Sequence, residues 1–330
     1  MANAPLWITE AEIVDLLSLP DAIDALETVF AMEARGEAET MTKTLLMVGE
    51  NDPFQAIGGS VKGEGICGTK TWVNVAGKSS TMLVLFSLTD GACIAMIEAT
   101  ALGQMRTAAV TGVGTRRLAV TGADEMAIVG TGKQAIPQIA ACHAVRPLKR
   151  VRISSRDADK RAAFVEEVKA ALGIETISAA SLEDAVRDCP IVTLMTNSTR
   201  PFLPASLLAK GTHLNAMGAV VPRRIEFEDD VFNRADVIAV DSLPAVRELS
   251  AEFQKHFGED EAAWSKVRPI SQLVAEGFDR PASADLTLYK AMGMGMCDVG
   301  LGIEILKRAR AANAGTVLPE RIKKAPRLTR

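Results

Sequence analysis

The sequence has few of the residues that a metal centre or a disulfide framework requires. It has three histidines, and its five cysteines form no C-x-x-C pair. Because an odd and scattered set of cysteines is typical of reduced thiols, we expect free thiols and no zinc site. No carboxylate-rich loop with ligand spacing is visible either, so the sequence predicts no bound metal. The cysteines are Cys67, Cys93, Cys142, Cys189 and Cys297.

Long hydrophobic runs and an excess of positive charge are also missing. The longest apolar stretches, such as Met82–Phe86, are far shorter than the roughly 18 residues of a membrane-spanning helix. A formal net charge of −4 disfavours nucleic acid as the main partner. The first residues lack the basic and apolar regions of an export signal, so we expect a cytoplasmic protein with neither a membrane nor a nucleic-acid partner.

The C-terminal end is a local exception, because five basic residues crowd the last ten positions. A run of charge without apolar periodicity is typical of a solvated chain end. We therefore expect this end to be disordered and not to form a binding patch. The five residues are Arg321, Lys323, Lys324, Arg327 and Arg330.

The chain of 330 residues, 48% of them hydrophobic, is long enough for two domains of roughly 150 residues each. Near its start, Thr9 and Glu12 form a capping box that predicts a first helix. Pro20 at a helix entry and Gly36 after the last apolar position mark a second, amphipathic helix. The first domain therefore opens with two helices.

The next hundred residues change from β-rich to helical patterns. Thr100 is expected to cap a long helix over 101–120, whose alanines and glycines let other backbone approach closely. Such a helix is predicted to be buried. The β-rich runs before it lie at 67–75, 81–88 and 92–97, of which the last two form a predicted hairpin.

From Glu125 onward the chain alternates between apolar strands and helices. This alternation, with strands apolar on both faces, predicts a parallel sheet covered by helices. The segment Leu286–Ala312 is predicted to be helical and to return to the first domain. The predicted strands lie at 126–130, 151–155, 191–196, 213–217 and 237–241, and the helices between them at 161–172 and 182–187.

These patterns predict an α/β protein of two parts. Residues 120–299 form a Rossmann-type, doubly wound parallel sheet, and residues 1–119 and 300–330 form a discontinuous α+β domain.

The strongest local motif is a strand that runs into G-x-G-x-x-A and then into a helix. Gly130 permits the tight turn, Gly132 lets backbone amides approach a pyrophosphate, and Ala135 is small enough for helix–strand packing. With a strand before it, a helix after it and a second strand about 20 residues later, the motif predicts a dinucleotide site. The candidate phosphate loop is Gly130, Thr131, Gly132, Lys133 and Gln134.

The end of the second strand of this unit bears on the choice of cofactor. An acid there is typical of NAD, whereas cations and small donors suit the 2′-phosphate of NADP. Here Ser155 and Arg156 follow the strand, so NADP(H) is favoured and NAD(H) is the alternative. In that alternative Arg156 is a surface cation and Asp157 binds the ribose.

Lys70 and Arg106 have neighbours that are too apolar for the protein surface. Lys70 lies in a strand-like run and Arg106 in the helix rich in small residues. Long cations in such surroundings are buried only when they are paired, and an anionic substrate is one such partner. A structural salt bridge and a side chain that extends to solvent are the alternatives.

Several motifs in a compatible order carry a family resemblance. From about Thr9 to Ala312, the sequence resembles the ornithine cyclodeaminase/μ-crystallin family. The segments that carry the resemblance are Met105–Ala109, Val129–Gln134, Thr196–Ser198, Gly211–Gly218, Ala235–Asp236 and Val240–Ser242.

The resemblance implies a homodimer whose first domain binds the substrate and forms the interface, with a nicotinamide cofactor on the Rossmann domain. In the family, a lysine and two arginines hold the carboxylate of a small amino or imino acid. Lys70 matches the lysine and Arg106 one arginine, whereas the other arginine is replaced by Lys43, which lacks the bidentate guanidinium. We expect the side-chain pocket to be lined by Thr71, Trp72 and Asn74.

The resemblance also implies contacts with the cofactor. The glycine turn at Gly293 resembles the family's turn near the nicotinamide. The further cofactor-binding candidates are Thr107, Thr196, Asn197, Ser198, Met217, Gly218 and Val220.

Val220 is also the main departure from the family pattern. Cyclodeaminases and the related alanine dehydrogenases have an aspartate at this place, where it handles the substrate amine or a water. A valine does neither, which disfavours ornithine cyclisation, and the family's ketimine reductases share this lack of an acid. The alternative is that Glu226 or Glu228 substitutes for the aspartate.

The sequence therefore predicts an NAD(P)H-dependent enzyme that reduces a small 2-imino acid to an L-amino acid or runs the reverse reaction. Lys70 and Arg106 are its candidate catalytic residues, with Lys70 supplying a hydrogen bond or a proton. The alternatives are an ornithine cyclodeaminase, an alanine-dehydrogenase-like enzyme and a non-catalytic, NADPH-linked binding protein like μ-crystallin.

Overall fold

The computed structural model of the chain describes residues 4–50, 52–319, 322 and 324–329. Of the basic C-terminal residues, Lys324 and Arg327 are exposed and outside regular secondary structure. Arg321, Lys323 and Arg330 lie outside the described residues.

The strands and helices follow one another along the whole described chain. The strands are β1 (Leu6–Ile8), β2 (Ala38–Thr40), β3 (Thr44–Met47), β4 (Pro53–Val61), β5 (Ile66–Val75), β6 (Lys78–Ser87), β7 (Cys93–Glu98), β8 (Glu125–Val129), β9 (Arg150–Ser154), β10 (Glu175–Ser178), β11 (Ile191–Leu194), β12 (Thr199–Leu203), β13 (His213–Ala216), β14 (Ile225–Phe227), β15 (Ala235–Val240), β16 (Val267–Pro269), β17 (Leu286–Lys290) and β18 (Thr316–Val317). The helices are α1 (Glu10–Leu16), α2 (Leu19–Ala34), α3 (Thr100–Leu118), α4 (Ala135–Val145), α5 (Ala158–Leu172), α6 (Leu182–Val186), α7 (Asp230–Arg234), α8 (Leu243–Leu249), α9 (Ala251–Phe257), α10 (Glu261–Trp264), α11 (Ile270–Ala275) and α12 (Gly295–Ala312).

The first sheet has the strand order β18-β1-β7-β6-β5-β4-β2, with β3 paired to β4. Strands β4 to β7 form an antiparallel meander, and the predicted hairpin is confirmed as the β6–β7 pair. The capping box of Thr9 and Glu12 is confirmed at the start of α1, and α2 ends just before Gly36, which has φ +72°.

The second sheet is parallel throughout and has the order β10-β9-β8-β11-β13-β17-β15-β16. The chain moves outward in one direction through β8, β9 and β10 and then returns to the other side of β8 with β11. This reversal is the point at which doubly wound sheets bind ligands, at the carboxyl ends of the strands. The predicted Rossmann-type α/β fold is confirmed.

Helix α12 packs the end of the chain onto the first sheet. A Cβ built on Gly295 would lie 2.1 Å from the backbone oxygen of Gly58, so the start of α12 contacts β4 backbone to backbone. The helix also packs on α2 and β5, and β18 pairs with β1. The boundaries drawn at 119/120 and 299/300 stay a prediction, and the second falls inside α12.

Two local predictions were wrong. Residues 286–290 form β17, in the middle of the second sheet, and α12 begins only at Gly295. Thr100 is the first residue of α3 and not its cap; the preceding Ala99 makes no side-chain capping bond. Instead, the Glu10 carboxylate from α1 accepts the backbone N–H groups of Thr100 and Ala101, the latter at 2.8 Å. An acid at a helix N-terminus satisfies free amides and is favoured by the helix dipole.

Within the described residues, no helix combines the length and the apolar character that crossing a bilayer would need.

Candidate active site

A cavity of about 320 Å³ lies between the two sheets and is lined by residues of both domains. The first domain supplies Lys43, Lys70, Trp72, Arg106 and Thr107. The second supplies Gln134, Met195, Thr196, Asn197, Met217, Gly218, Val220, Arg224, Met292 and Gly293, most of them from loops after the strands of the second sheet. The structure therefore brings Lys70 and Arg106 together with most of the predicted cofactor residues.

Lys70 and Arg106 share one buried carboxylate. Lys70 on β5 is 5% exposed, and its Nζ donates to Oδ1 of Asp298 on α12. The Nε of Arg106 on α3 donates to the same oxygen at 3.1 Å. Burial by itself would raise the pKa of Asp298, but the two adjacent cations outweigh it and hold the pKa of this carboxyl below its usual range.

This pairing does not neutralise the two cations. Asp298 carries one negative charge against two positive ones, and Arg106 uses only its Nε in the bond. In the described part of the chain, Nη1 and Nη2 of Arg106 make no hydrogen bond, and a Cβ at Gly293 would lie 3.2 Å from Nη1. The structural salt bridge that the sequence analysis gave as an alternative is therefore present, and positive charge remains on the cavity wall. Pairing of Lys70 and Arg106 with an anionic substrate stays a prediction.

Two of the cations lie near the ring of Trp72. The Nζ atoms of Lys43 and Lys70 are 5.5 and 5.3 Å from the centroid of its ring, within the range of cation–π attraction. Lys43 is exposed at the rim of the cavity. Burial, followed by the charges of Arg106 and Lys43, lowers the pKa of Lys70 even though the Asp298 carboxylate opposes the shift.

The glycine loop has the form that a dinucleotide phosphate needs. Gly130 has φ +113°, and a Cβ there would lie 2.3 Å from the backbone oxygen of Met195. At Gly132 a Cβ would meet no atom within 4 Å, so the loop is open where a phosphate would approach. Helix α4 begins at Ala135, which places Pro137 in its first turn, where its missing N–H costs no helical bond. The residues present fit a bound dinucleotide.

Glu226 holds two of the cavity loops in place. The sequence analysis did not predict this positioning role. It is fully buried, and its carboxylate accepts the backbone N–H groups of Thr196, Gly218 and Ala219 at 2.6, 2.9 and 3.0 Å. It also accepts the Thr196 hydroxyl at 2.8 Å. Glu226 does not line the cavity and so does not replace the acid missing at Val220. The signal that could have identified this role is an acid between the apolar residues Ile225 and Phe227.

Asp241 holds the turn opposite Arg106. Its carboxylate accepts the backbone N–H groups of Ser242, Met292 and Gly293 at 2.7, 2.9 and 2.7 Å. Burial raises the pKa of Asp241, opposed by these three amides and by the charge of Arg106. The sequence placed Asp241 in a motif but gave no role to it.

At the end of β9, Asp157 is already engaged. Its Oδ1 accepts the backbone N–H of Lys160 at 3.0 Å as the N-cap of α5, and Oδ2 lies 3.4 Å from the Lys160 Nζ. Arg156 is exposed and makes no ion pair among the described residues. Arg161 donates to the backbone oxygen of Ser155 at 2.6 Å.

Some predicted residues do not reach the cavity. Thr71 alternates with Lys70 and Trp72 on β5, so its side chain is on the other face of the sheet. Asn74 lies farther along the strand, and the Ser198 hydroxyl donates to the Arg200 backbone oxygen at 2.7 Å. Of the predicted phosphate loop, Gln134 lines the cavity, whereas Gly130, Thr131, Gly132 and Lys133 do not. Contact with a cofactor or substrate stays a prediction for all of these residues.

Asp298 and Arg224 were missed as members of the site. A lone acid within the apolar start of α12 is the signal that could have identified Asp298 as a buried partner. Nothing in the sequence around Arg224 distinguishes it from a surface residue. Among the described residues, no three His, Cys, Asp or Glu side chains cluster as a metal site would require.

The fold and the cavity define an α/β protein with two large sheets, in which the end of a dinucleotide-type loop and a cationic wall share one cavity. The family model of the ornithine cyclodeaminase/mu-crystallin family matches residues 5–313, and the chain belongs to this family.

Relatives with stated activities cover most of the chain. The Δ1-pyrroline-2-carboxylate reductase of a Bacillus cereus strain is 26% identical over 236 residues, which cover 71% of this chain and 72% of that protein. A solved archaeal alanine dehydrogenase, described as a dimer with bound NAD, is 25% identical with a TM-score of 0.85 and covers 96% of this chain and 99% of its own. The Δ1-pyrroline-2-carboxylate reductase of Thermococcus litoralis, solved with NADH and L-proline, has a TM-score of 0.87 at 22% identity over 95% of this chain and 100% of that one. This last likeness concerns the fold alone.

Proposed function

We propose that the chain is an NAD(P)H-dependent reductase that converts a small 2-imino acid into an L-amino acid and also runs the reverse dehydrogenation. The observation that carries the proposal is the wall of Lys70 and Arg106, which shares one cavity with Gln134 and the loops at Thr196–Asn197 and Met217–Gly218. The Bacillus relative, named for the reduction of Δ1-pyrroline-2-carboxylate, supports the reaction class.

Arg106 and Lys70 bind the substrate carboxylate. Because Asp298 holds Arg106 through Nε, the two terminal amino groups are left to form a forked, charge-assisted pair with a carboxylate. Lys43 at the rim adds attraction for an anion without a planar fork. Trp72 gives the carbon skeleton an apolar surface.

The proton is handled by Lys70. When bound, the reduced nicotinamide supplies a hydride that adds to the imine carbon, while the electron pair of the C=N bond passes to the nitrogen. The Lys70 ammonium gives its proton to the imine nitrogen, and the lowered pKa of Lys70 favours this transfer. In the reverse direction the neutral Lys70 amine accepts a proton from the substrate amino group.

The lining favours this reaction over ornithine cyclisation. No Asp or Glu of the described chain lines the cavity, and Val220 occupies the loop position of the family aspartate. A distal ammonium group of the substrate therefore has no carboxylate to pair with in the cavity. Glu226 is committed to backbone amides and cannot take this role.

NADP(H) is the proposed cofactor, with NAD(H) the alternative. Arg156 is unpaired within the described residues and Ser155 is adjacent, so both are available to a 2′-phosphate. The use of Asp157 as a helix cap argues against its use as a ribose acceptor.

A homodimer and a cytoplasmic location are also part of the proposal. Leu45, Leu46 and Phe54 on β3 and β4 are 60%, 61% and 44% exposed, an unusual apolar surface for a monomer. The dimeric alanine dehydrogenase supports a second copy as the partner of this sheet. All five cysteines are free, which suits a reducing compartment.

The test is a screen with NADPH and with NADH. Δ1-pyrroline-2-carboxylate, Δ1-piperideine-2-carboxylate, iminosuccinate, and pyruvate with ammonia or methylamine are offered, and nicotinamide absorbance and amino acid products are followed. We expect oxidation of the cofactor with formation of one L-amino acid. Tight cofactor binding without oxidation by any substrate would favour a binding protein, and ammonia release from ornithine without net NADH would favour a cyclodeaminase.

A further inference from the structure

Arg224 is a cation of the cavity to which the reduction of a simple imino acid gives no role. Its side chain lines the cavity and is half-buried, and it makes no ion pair or hydrogen bond within the described part of the chain. We infer that the substrate is a 2-iminodicarboxylate whose distal carboxylate binds Arg224. This inference rests on the proposed function and specifies its substrate class.

The first argument is the balance of charge. Four cations line the cavity, no acid lines it, and Asp298 behind the wall supplies a single negative charge. The buried Asp241 carboxylate also acts on Arg106, and with both acids counted the cations are in excess by two, or by one when Lys70 is neutral. A substrate with one carboxylate satisfies the pair of Lys70 and Arg106 and leaves Arg224 without a counter-charge. A second carboxylate supplies that charge and gains charge-assisted hydrogen bonds.

The second argument is position. Lys70 and Arg106 belong to the first domain, whereas Arg224 belongs to the loop after β13 in the second. Its backbone N–H closes a turn on the Val221 oxygen at 3.0 Å, a few residues after the amides that Glu226 fixes. The two carboxylate sites thus come from different domains. Val220, on the same loop, gives the methylene groups of the substrate an apolar contact.

The kinetic test uses matched substrates that differ in one charge. Oxaloacetate and 2-oxoglutarate, each with ammonia, are compared with their distal monomethyl esters. In the native chain we expect kcat/KM for the diacid to exceed that for its ester by about tenfold or more. Arg224→Met should lower kcat/KM for the diacid by about tenfold and change that for the ester by less than about threefold. Arg224→Lys should retain most of the diacid preference.

Arg223→Met is the matched control, because Arg223 is the exposed neighbour and does not line the cavity. It should leave the preference unchanged. Equal kcat/KM for diacid and ester in the native chain would overturn the inference. A parallel loss with both substrates in Arg224→Met, together with weaker NADPH binding, would also overturn it and assign Arg224 to the cofactor.

A binding measurement is independent of turnover. Isothermal titration of the purified full chain with glutarate and with monomethyl glutarate should show tighter binding of glutarate, a difference lost in Arg224→Met and kept in Arg223→Met. If monocarboxylic imino acids are reduced and neither assay shows a preference for the diacid, the inference about Arg224 fails while the proposed reductase function stands. If no imino acid is reduced while glutarate is preferred, the proposed reaction fails and the diacid site stands.

Discussion

Arg106 donates to Asp298 through Nε at 3.1 Å, an arrangement that fixes the plane of the guanidinium while its two terminal amino groups stay unbound among the described residues. The internal acid that pairs with the cation therefore also orients it. A salt bridge and a ligand site are not competing interpretations of such a residue, because the guanidinium has donors on both edges.

Replacing Arg106 should weaken substrate binding more than it slows the chemical step. Arg106→Ala is expected to raise KM for the imino acid by well over tenfold, which corresponds to the loss of about 2–4 kcal/mol from a buried charge pair. Arg106→Lys keeps the positive charge but lacks the forked guanidinium, so its KM should lie between those of the native chain and of Arg106→Ala. Steady-state kinetics with the best substrate of the screen measures this, and an unchanged KM in Arg106→Ala would remove Arg106 from the site.

Asp298→Asn should move the pH dependence of kcat toward lower pH. The Asp298 carboxylate raises the pKa of Lys70 against the effects of burial and of Arg106, so its removal lowers the pKa of Lys70 further. The ammonium then loses its proton at lower pH, and the alkaline limb of the reductive reaction shifts to the acid side. Glu304→Gln, a partly exposed acid farther along α12 that pairs with Arg308, serves as the control. If the pH dependence of kcat in Asp298→Asn matched that of the native chain, Lys70 would not be the proton donor.

Arg156→Ala should weaken NADPH more than NADH. The 2′-phosphate is the group by which the two cofactors differ, and only NADPH loses a charge-assisted contact. Fluorescence titration of both cofactors gives the ratio of the dissociation constants. Arg200→Ala, an exposed cation of the same domain, is the reference variant. Equal effects on the two cofactors would refute the preference for NADP(H).

Glu226→Gln should destabilise the protein and loosen the cofactor. A glutamine amide cannot accept at both ends, so at least one of the buried N–H groups of Thr196, Gly218 and Ala219 loses its acceptor. We expect the free energy of unfolding in urea to fall by about 2–3 kcal/mol and the dissociation constant of NADPH to rise. Glu228→Gln, two residues along the chain, should change neither. Native stability in Glu226→Gln would contradict this role.

The sequence predicted the parts of the fold that depend on local patterns. The capping box at Thr9, the β6–β7 hairpin and the strand–glycine–helix unit at Gly130 each follow from neighbouring residues, and each is confirmed. Strand β17 was missed because a five-residue apolar run has the same composition in a buried strand and in a buried helix. Its pairing with β13 and β15 in the folded sheet is what makes this segment a strand.

The site was less predictable, because its contacts join distant segments. Asp298 meets Lys70 across 228 residues of sequence, and Glu10 meets Ala101 across 91. Such pairs have no local periodicity, so single-sequence patterns do not identify them. Arg224 could be recognised only when the cavity was visible, since its neighbours in the sequence are those of an ordinary surface turn.

The backbone contact between Gly58 and Gly295 joins segments that are synthesised far apart in time. Lys70 and Arg106 leave the ribosome well before Asp298, so their shared counter-ion is the last member of this charge cluster to be made. A side chain at Gly295 would collide with the Gly58 backbone, so replacing this glycine is expected to hinder the placement of Asp298 beside its two partners.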